Sequence, residues 1–104
     1  MTSKRDLARY RKLQEIGCIC CCILGIPGVP GDIHHIVDKG YRRLSGGNSS
    51  TLCLCPYHHR HASAAGADSR YGPSLAHGSK LFAARWGSQR ELLARVNDML
   101  SAKA

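Results

Sequence analysis

Apolar positions along this chain recur first at helical and then at strand spacing, and the switches between the two mark its elements. From Ser3 to Ile16, the residues Leu7, Tyr10, Leu13 and Ile16 fall three apart and lie near one face of a helix. Ser3 suits the N-cap, Asp6 the first turn, and Gly17 the stop. The cysteine run Cys18-Ile-Cys-Cys-Cys22 reads as a turn. GIPGVPG over 25–31 then excludes regular structure, because prolines and glycines alternate there.

Ile33 to Val37 reads as a short strand, and Thr51 to Cys55 as a second one of β-branched and apolar residues. Between them, KGYRRLSGGNSS over 39–50 is a basic, Gly/Ser-rich loop. Pro56 suits the first position of a short helix carrying His58 and His59. A polar loop of roughly 62–74 follows. One further helix is predicted over Lys80 to Trp86, ended by Gly87. Ser88 and Glu91 form a capping-box pattern that opens another, whose Leu92, Leu93, Val96, Met99 and Leu100 face inward. The pattern predicts an α+β fold in one domain over 1–104. It has an N-terminal helix within 1–17, a core of two strands and a short helix over 18–61, and a helical pair over 75–104.

At 104 residues the core must be thin, so a metal cross-link would help the chain fold. Lys and Arg number 15 against 7 Asp and Glu, a net charge of +8 spread along the whole chain. That excess predicts affinity for polyanions, phosphate backbones first, although ordinary solubility charge is the blander explanation. No apolar run reaches membrane-spanning length, and MTSKRDLARYRK has no hydrophobic stretch before a cleavage site. A cytoplasmic location is the expectation. Six cysteines in a reducing compartment then argue for metal ligands or buried thiols rather than disulfides.

Zinc takes four tetrahedral nitrogen or sulfur ligands, and two pairs with two-residue gaps can each wrap half of the ion. Cys18, Cys21, Cys55 and His58 meet that count, with Cys20 and Cys22 as alternatives to Cys21 in the first pair. For Cys20, Cys22 and Cys53 the favoured reading is small buried thiols. The adjacent pair His34-His35 points elsewhere. A hydrolytic nuclease needs a ligand that holds a divalent cation against phosphate and a base that deprotonates water, and imidazole can do either near neutral pH. Two strand histidines alone are more often surface or core residues than catalysts. His58, His59 and His61 change that weighing, because a hairpin followed by a helix would bring the two histidine groups together.

The order Cys-x2-Cys, Asp-Ile-His-His-Ile, a glycine-rich loop and Leu-Cys-x2-His-His resembles the HNH (ββα-metal) endonucleases over about Gly17 to His61. A longer match runs through DIHHI, LCPYHHRH and KLFAARWGSQRELL. It is similar to the phage recombination-enhancement (Ref-like) nucleases, which are RecA-dependent DNA endonucleases. The resemblance implies that His35 is the general base and that His34 and His59 ligate a catalytic Mg2+ or another divalent cation. It implies His77 as a further ligand, with His61 the competing choice, and a structural Zn2+ on the cysteine pairs. Asp32, two residues before His34 on one strand face, is expected to orient a ligand. Lys39, Arg42, Arg43 and Arg60 are candidates for DNA phosphates, with plain solvation about as well supported.

The partners so implied are DNA and the RecA filament, for a phage- or prophage-encoded protein in a bacterial host. The family's central Asn falls about nine residues before the helix ligand, where this chain has Ser50; Asn48 stands two residues earlier. Because neighbouring strand residues point to opposite faces, a shared site for His34 and His35 predicts a local distortion. The alternative function is a non-catalytic zinc module that binds nucleic acid. It would keep Cys18, Cys21, Cys55 and His58 but have no use for His34, His35 and His59 as a set.

Overall fold

A computed structural model describes residues 2–61 and 70–102. Helix α1 spans Lys4–Ile16. The Ser3 hydroxyl accepts from the Asp6 N–H, and the Asp6 carboxylate accepts from the Ser3 N–H, a reciprocal cap that satisfies two donors of the first turn. Leu13 and Ile16 are buried and Tyr10 is half-buried, but Leu7 stays 54% exposed. The apolar face is therefore one turn shorter than expected, because the first turn of α1 faces polar partners. Gly17 ends the helix at φ +82°, and a Cβ there would stand 2.5 Å from the Val29 nitrogen.

The cysteine run is a helix, α2, over Ile19–Ile23, and not the expected turn. Cys18 caps it, and buried Ile19 and Cys20 hold it against the core. With no glycine or proline between Cys18 and Leu24, nothing in the run opposes a helical turn.

Strand β1, Asp32–His35, pairs antiparallel with β2, Thr51–Leu54. The register runs from Asp32 opposite Leu54 to His35 opposite Thr51, one residue to one, so the predicted distortion at His34-His35 is absent. Gly31 lets the chain enter β1 close to β2, since a Cβ there would lie 2.5 Å from the Leu54 carbonyl oxygen. Every residue of β2 is buried and every residue of β1 is half-buried. The difference follows from packing, because α1, α2 and the C-terminal helix all lie against β2.

The 39–50 loop is anchored rather than free. Arg90 donates to both carboxylate oxygens of Asp38 at 2.7 Å, to the Ser45 carbonyl at 2.6 Å and to the Ser50 hydroxyl at 3.2 Å. A 3-10 turn at Gly47–Ser49 leads into β2. Helix α3, Pro56–Arg60, follows directly with Pro56 in its first turn. Of the polar loop predicted over 62–74, residues 62–69 lie outside the described residues.

Helix α4 is Ser79–Trp86 and α5 is Gln89–Ala102, with Ser88 and Glu91 hydrogen-bonded to each other's backbone N–H as the spacing predicts. Phe82, Trp86, Leu92 and Val96 are buried, and Leu93, Met99 and Leu100 pack against them. Arg9 ties three elements together, donating to Thr51 Oγ1 (2.8 Å), Thr51 O (2.9 Å) and Asn97 Oδ1 (3.0 Å). Among the described residues no helix is long and apolar enough to cross a membrane.

Candidate metal centre and histidine site

Both cysteine-bearing pairs sit at the start of a short helix. Cys18 caps α2 and Cys21 lies one turn in; Cys55 caps α3 and His58 lies one turn in. Residues three apart share a helix face, so each pair presents two ligand atoms to the same side. The four ligand atoms lie within 4.8 Å of one another, and all four residues are buried. Cys21 Sγ and Cys55 Sγ are 3.8 Å apart. His58 Nδ1 stands 3.5 Å from Cys18 Sγ and Cys21 Sγ, and 3.3 Å from Cys55 Sγ.

A tetrahedral ion with Zn–S bonds of about 2.3 Å and Zn–N bonds of about 2.0–2.1 Å requires S···S edges of about 3.8 Å and S···N edges of about 3.5 Å. The one S···S edge and the three S···N edges given above match those lengths and the remaining two lie within 4.8 Å, so the cluster can hold a metal such as zinc. The other ring nitrogen of His58 donates to the Tyr71 carbonyl at 2.7 Å, which fixes Nδ1 as the lone-pair nitrogen facing the sulfurs.

The thiols divide by environment. A hydrogen bond from Cys20, with help from His58 and backbone amides, lowers the Cys18 thiol to about 3 against the pull of burial. Burial, then the charge of Cys18, pushes Cys21 upward, and burial also raises Cys55. One thiolate is therefore favoured in the metal-free chain, and a cation is needed before all three sulfurs ionise together. Cys20 serves as a donor to Cys18, Cys22 donates to the Ile16 carbonyl at 3.4 Å, and burial lifts Cys53 to about 12. Cys20 and Cys53 are the buried thiols expected of them, whereas Cys22 is only half-buried.

The histidines of β1 face opposite ways. On one side, the His34 and His59 rings approach edge to face with centroids 5.1 Å apart. His34 Nε2 donates to Gln89 Oε1 at 2.8 Å, and His59 Nδ1 donates to Asp32 Oδ2 at 3.3 Å. Each ring is thus held through one nitrogen, while His34 Nδ1 and His59 Nε2 have no hydrogen-bond partner among the described residues. Burial lowers the His34 pKa and keeps its imidazole neutral, the form that can ligate a cation. Arg60 pairs with the same Asp32 oxygen at 3.2 Å.

On the other side, His35 Nε2 lies 2.9 Å from Asn48 Oδ1 and 3.5 Å from the Tyr10 hydroxyl. Asn48 Nδ2 donates to Asp6 Oδ2 at 3.0 Å. His77 belongs to a third group: its Nδ1 accepts from the Ser74 N–H at 2.9 Å, and its ring stands 6.2 Å from that of His61, which stacks on Tyr57. Among the described residues, no second set of three His, Cys, Asp or Glu ligand atoms gathers as the cysteine cluster does, so His34, His59 and His77 are not brought together as a trio. Lys39, Arg42 and Arg43 are exposed on the loop and form no ion pair among the described residues.

Gln89, Tyr10 and Asp6 are the contacting residues that sequence reasoning missed. Gln89 stands 55 residues from His34, and no local signal marks it. Asp6 carried a signal as a cap, but its second partner, Asn48, lies 42 residues away.

No curated protein matches the chain with significance. The family model described as recombination enhancement, RecA-dependent nuclease matches residues 2–101, nearly the whole length. The chain belongs to the recombination enhancement, RecA-dependent nuclease family.

Proposed function

We propose that this protein is a metal-dependent DNA endonuclease of the HNH (ββα-metal) type, with a structural zinc on Cys18, Cys21, Cys55 and His58. The observation that carries the reading is the pairing of His34 with His59 across β1 and α3, beside Asp32. Ligating imidazoles characteristically give their second nitrogen to a carboxylate or amide oxygen, and both rings do so here. Their free nitrogens are the ones that would hold a catalytic divalent cation; His77 or His61, the further ligand the resemblance implies, stands apart from this pair and would have to move to join it. Such a cation supplies charge stabilisation to a phosphodiester under attack.

The chain's own residues account for the rest. β1 is half-buried while β2 is covered, so the outer strand of the pair presents His34 on one face and His35 on the other. His35 is read as the base that accepts the proton of the attacking water on the strength of the family resemblance, and its place on the opposite face of β1 from His34 requires the bound DNA to reach across the strand. Asp32 orients His59 and offsets the charge of Arg60, and Lys39, Arg42, Arg43 and Arg60 hold the backbone phosphates without reading bases. The protein is phage- or prophage-encoded, works in the bacterial cytoplasm, and acts on DNA bound to RecA. All of these site residues fall within one domain over 1–104.

The test is cleavage of RecA-coated DNA by the purified chain with and without added Mg2+. Cleavage is expected only with the cation, and His35→Ala is expected to abolish it while leaving the fold and zinc content intact. An active His35→Ala protein would overturn the assignment. Nucleic-acid binding with no cleavage of RecA-coated DNA under any cation would favour the zinc-module alternative.

A further inference from the structure

The first turn of α1 reaches the histidine site through a chain of three side chains, and each link constrains the next. The Asp6 carboxylate accepts hydrogen bonds from Ser3 N–H and from Asn48 Nδ2, both at 3.0 Å. The Ser3 amide, then the Asn48 amide, holds the Asp6 carboxyl below its usual range, so it is ionised at neutral pH. An ionised carboxylate can only accept. Asn48 must therefore turn its NH2 toward Asp6, since the flipped amide would set two acceptors 3.0 Å apart. With that orientation fixed, Asn48 Oδ1 is what faces His35 Nε2 at 2.9 Å, and a carbonyl oxygen requires a donor. Nε2 then carries the proton and Nδ1 keeps the lone pair.

The Tyr10 hydroxyl, 3.5 Å from the same Nε2, can donate or accept and does not decide the matter. Asn48 is itself anchored. Thr51 Oγ1 donates to its carbonyl at 3.0 Å, and Arg9 donates to Thr51 Oγ1 at 2.8 Å.

We propose that Asp6 is a positioning residue: through Asn48 it sets the neutral His35 ring as the Nε2–H tautomer and leaves Nδ1 as the atom that accepts a proton from water. The catalytic half of this statement rests on the reading of His35 as the general base, whereas the tautomer does not. The arrangement differs from the usual orienting of an imidazole, in which the carboxylate touches the ring directly. Here a neutral amide stands between them and transmits the orientation without placing a charge beside the ring.

The experiment is long-range 15N NMR of the full chain at a pH where imidazole is neutral, with DNA cleavage measured in parallel. In the parent chain, His35 is expected to show a pyrrole-like Nε2 and a pyridine-like Nδ1. Asp6→Ala is expected to give both tautomers in exchange, and to lower kcat by about 10- to 100-fold with KM for DNA unchanged. Ser3→Ala removes the same helix cap but keeps the Asp6–Asn48 contact, and it is expected to retain the single tautomer. Asn48→Ala breaks the chain from the loop side without touching α1, and it is expected to mix the tautomers as Asp6→Ala does. An Nε2–H tautomer that persists in both Asp6→Ala and Asn48→Ala overturns the proposal. Mixed tautomers with undiminished cleavage would uphold the role of Asp6 and overturn the reading of His35 as the base.

Discussion

Cys18 and Cys55 apply one local solution twice: a cysteine stands at the N-cap position of a short helix and the second ligand follows one turn later. The two-residue gap that suggested a metal in the sequence is the cap-to-first-turn distance, which is why this site was readable without a fold. The selection of Cys21 over Cys20 and Cys22 was not readable, because it depends on the orientation of α2. The environments of the thiols predict how the site fills. With Cys18 already ionised and Cys21 and Cys55 raised by burial, uptake of Zn2+ at neutral pH is expected to release two protons, one from each raised thiol. Calorimetry in buffers of different ionisation enthalpy measures that number, and zinc affinity should fall as the pH is lowered. Cys55→Ala is expected to lose the ion and, with it, the join between α2 and α3.

Among the elements, the 39–50 loop shows best what a local pattern can and cannot convey. Its composition announced a loop, and its flanks announced strands, because each of those signals lies within a few neighbouring residues. Its anchoring comes from Arg90 on α5, 52 residues from Asp38, and no sequence period reports such a contact. The same holds for Gln89 beside His34, whereas α2 was misread because five residues are too few for a periodic signal.

Arg90→Ala is expected to raise hydrogen exchange of the loop amides and to reduce cleavage, since Asn48 lies on that loop. The loss of global stability should be small, because the pair is solvent-accessible. Hydrogen bonds and charge from Arg90 hold the Asp38 carboxyl below its ordinary value of 3.8. The unfolded chain therefore binds that proton more tightly. The clamp's stabilisation is complete above the ordinary value and is lost as the pH falls through the lower folded one. Asp38→Asn should flatten that acid limb in denaturation curves.

For the whole molecule, the α+β composition and the places of both strands and of the helices other than α2 were legible because the apolar spacing changes sharply at Gly17, Pro56 and Gly87. The burial of β2 on both faces was not legible, because it arises from three helices that converge from distant parts of the chain. Charge acts at this scale too. With +8 on 104 residues, DNA binding is expected to weaken steeply as salt rises. Membership of a RecA-dependent nuclease family leads to a sharper expectation. Cleavage assays on bare single- and double-stranded DNA, and on the same DNA carrying RecA filaments, should show cutting only with the filament. Equal cutting of bare DNA would remove RecA from the mechanism.

The unbroken pairing of β1 with β2 makes the two histidines mutually exclusive in direction. A slip of one residue would turn the His35 ring toward Gln89 and α3, and the His34 ring toward Tyr10 and Asn48. The close approach at Gly31, where a single added methyl group would collide with the Leu54 carbonyl, therefore guards the identity of each histidine as much as the shape of the chain.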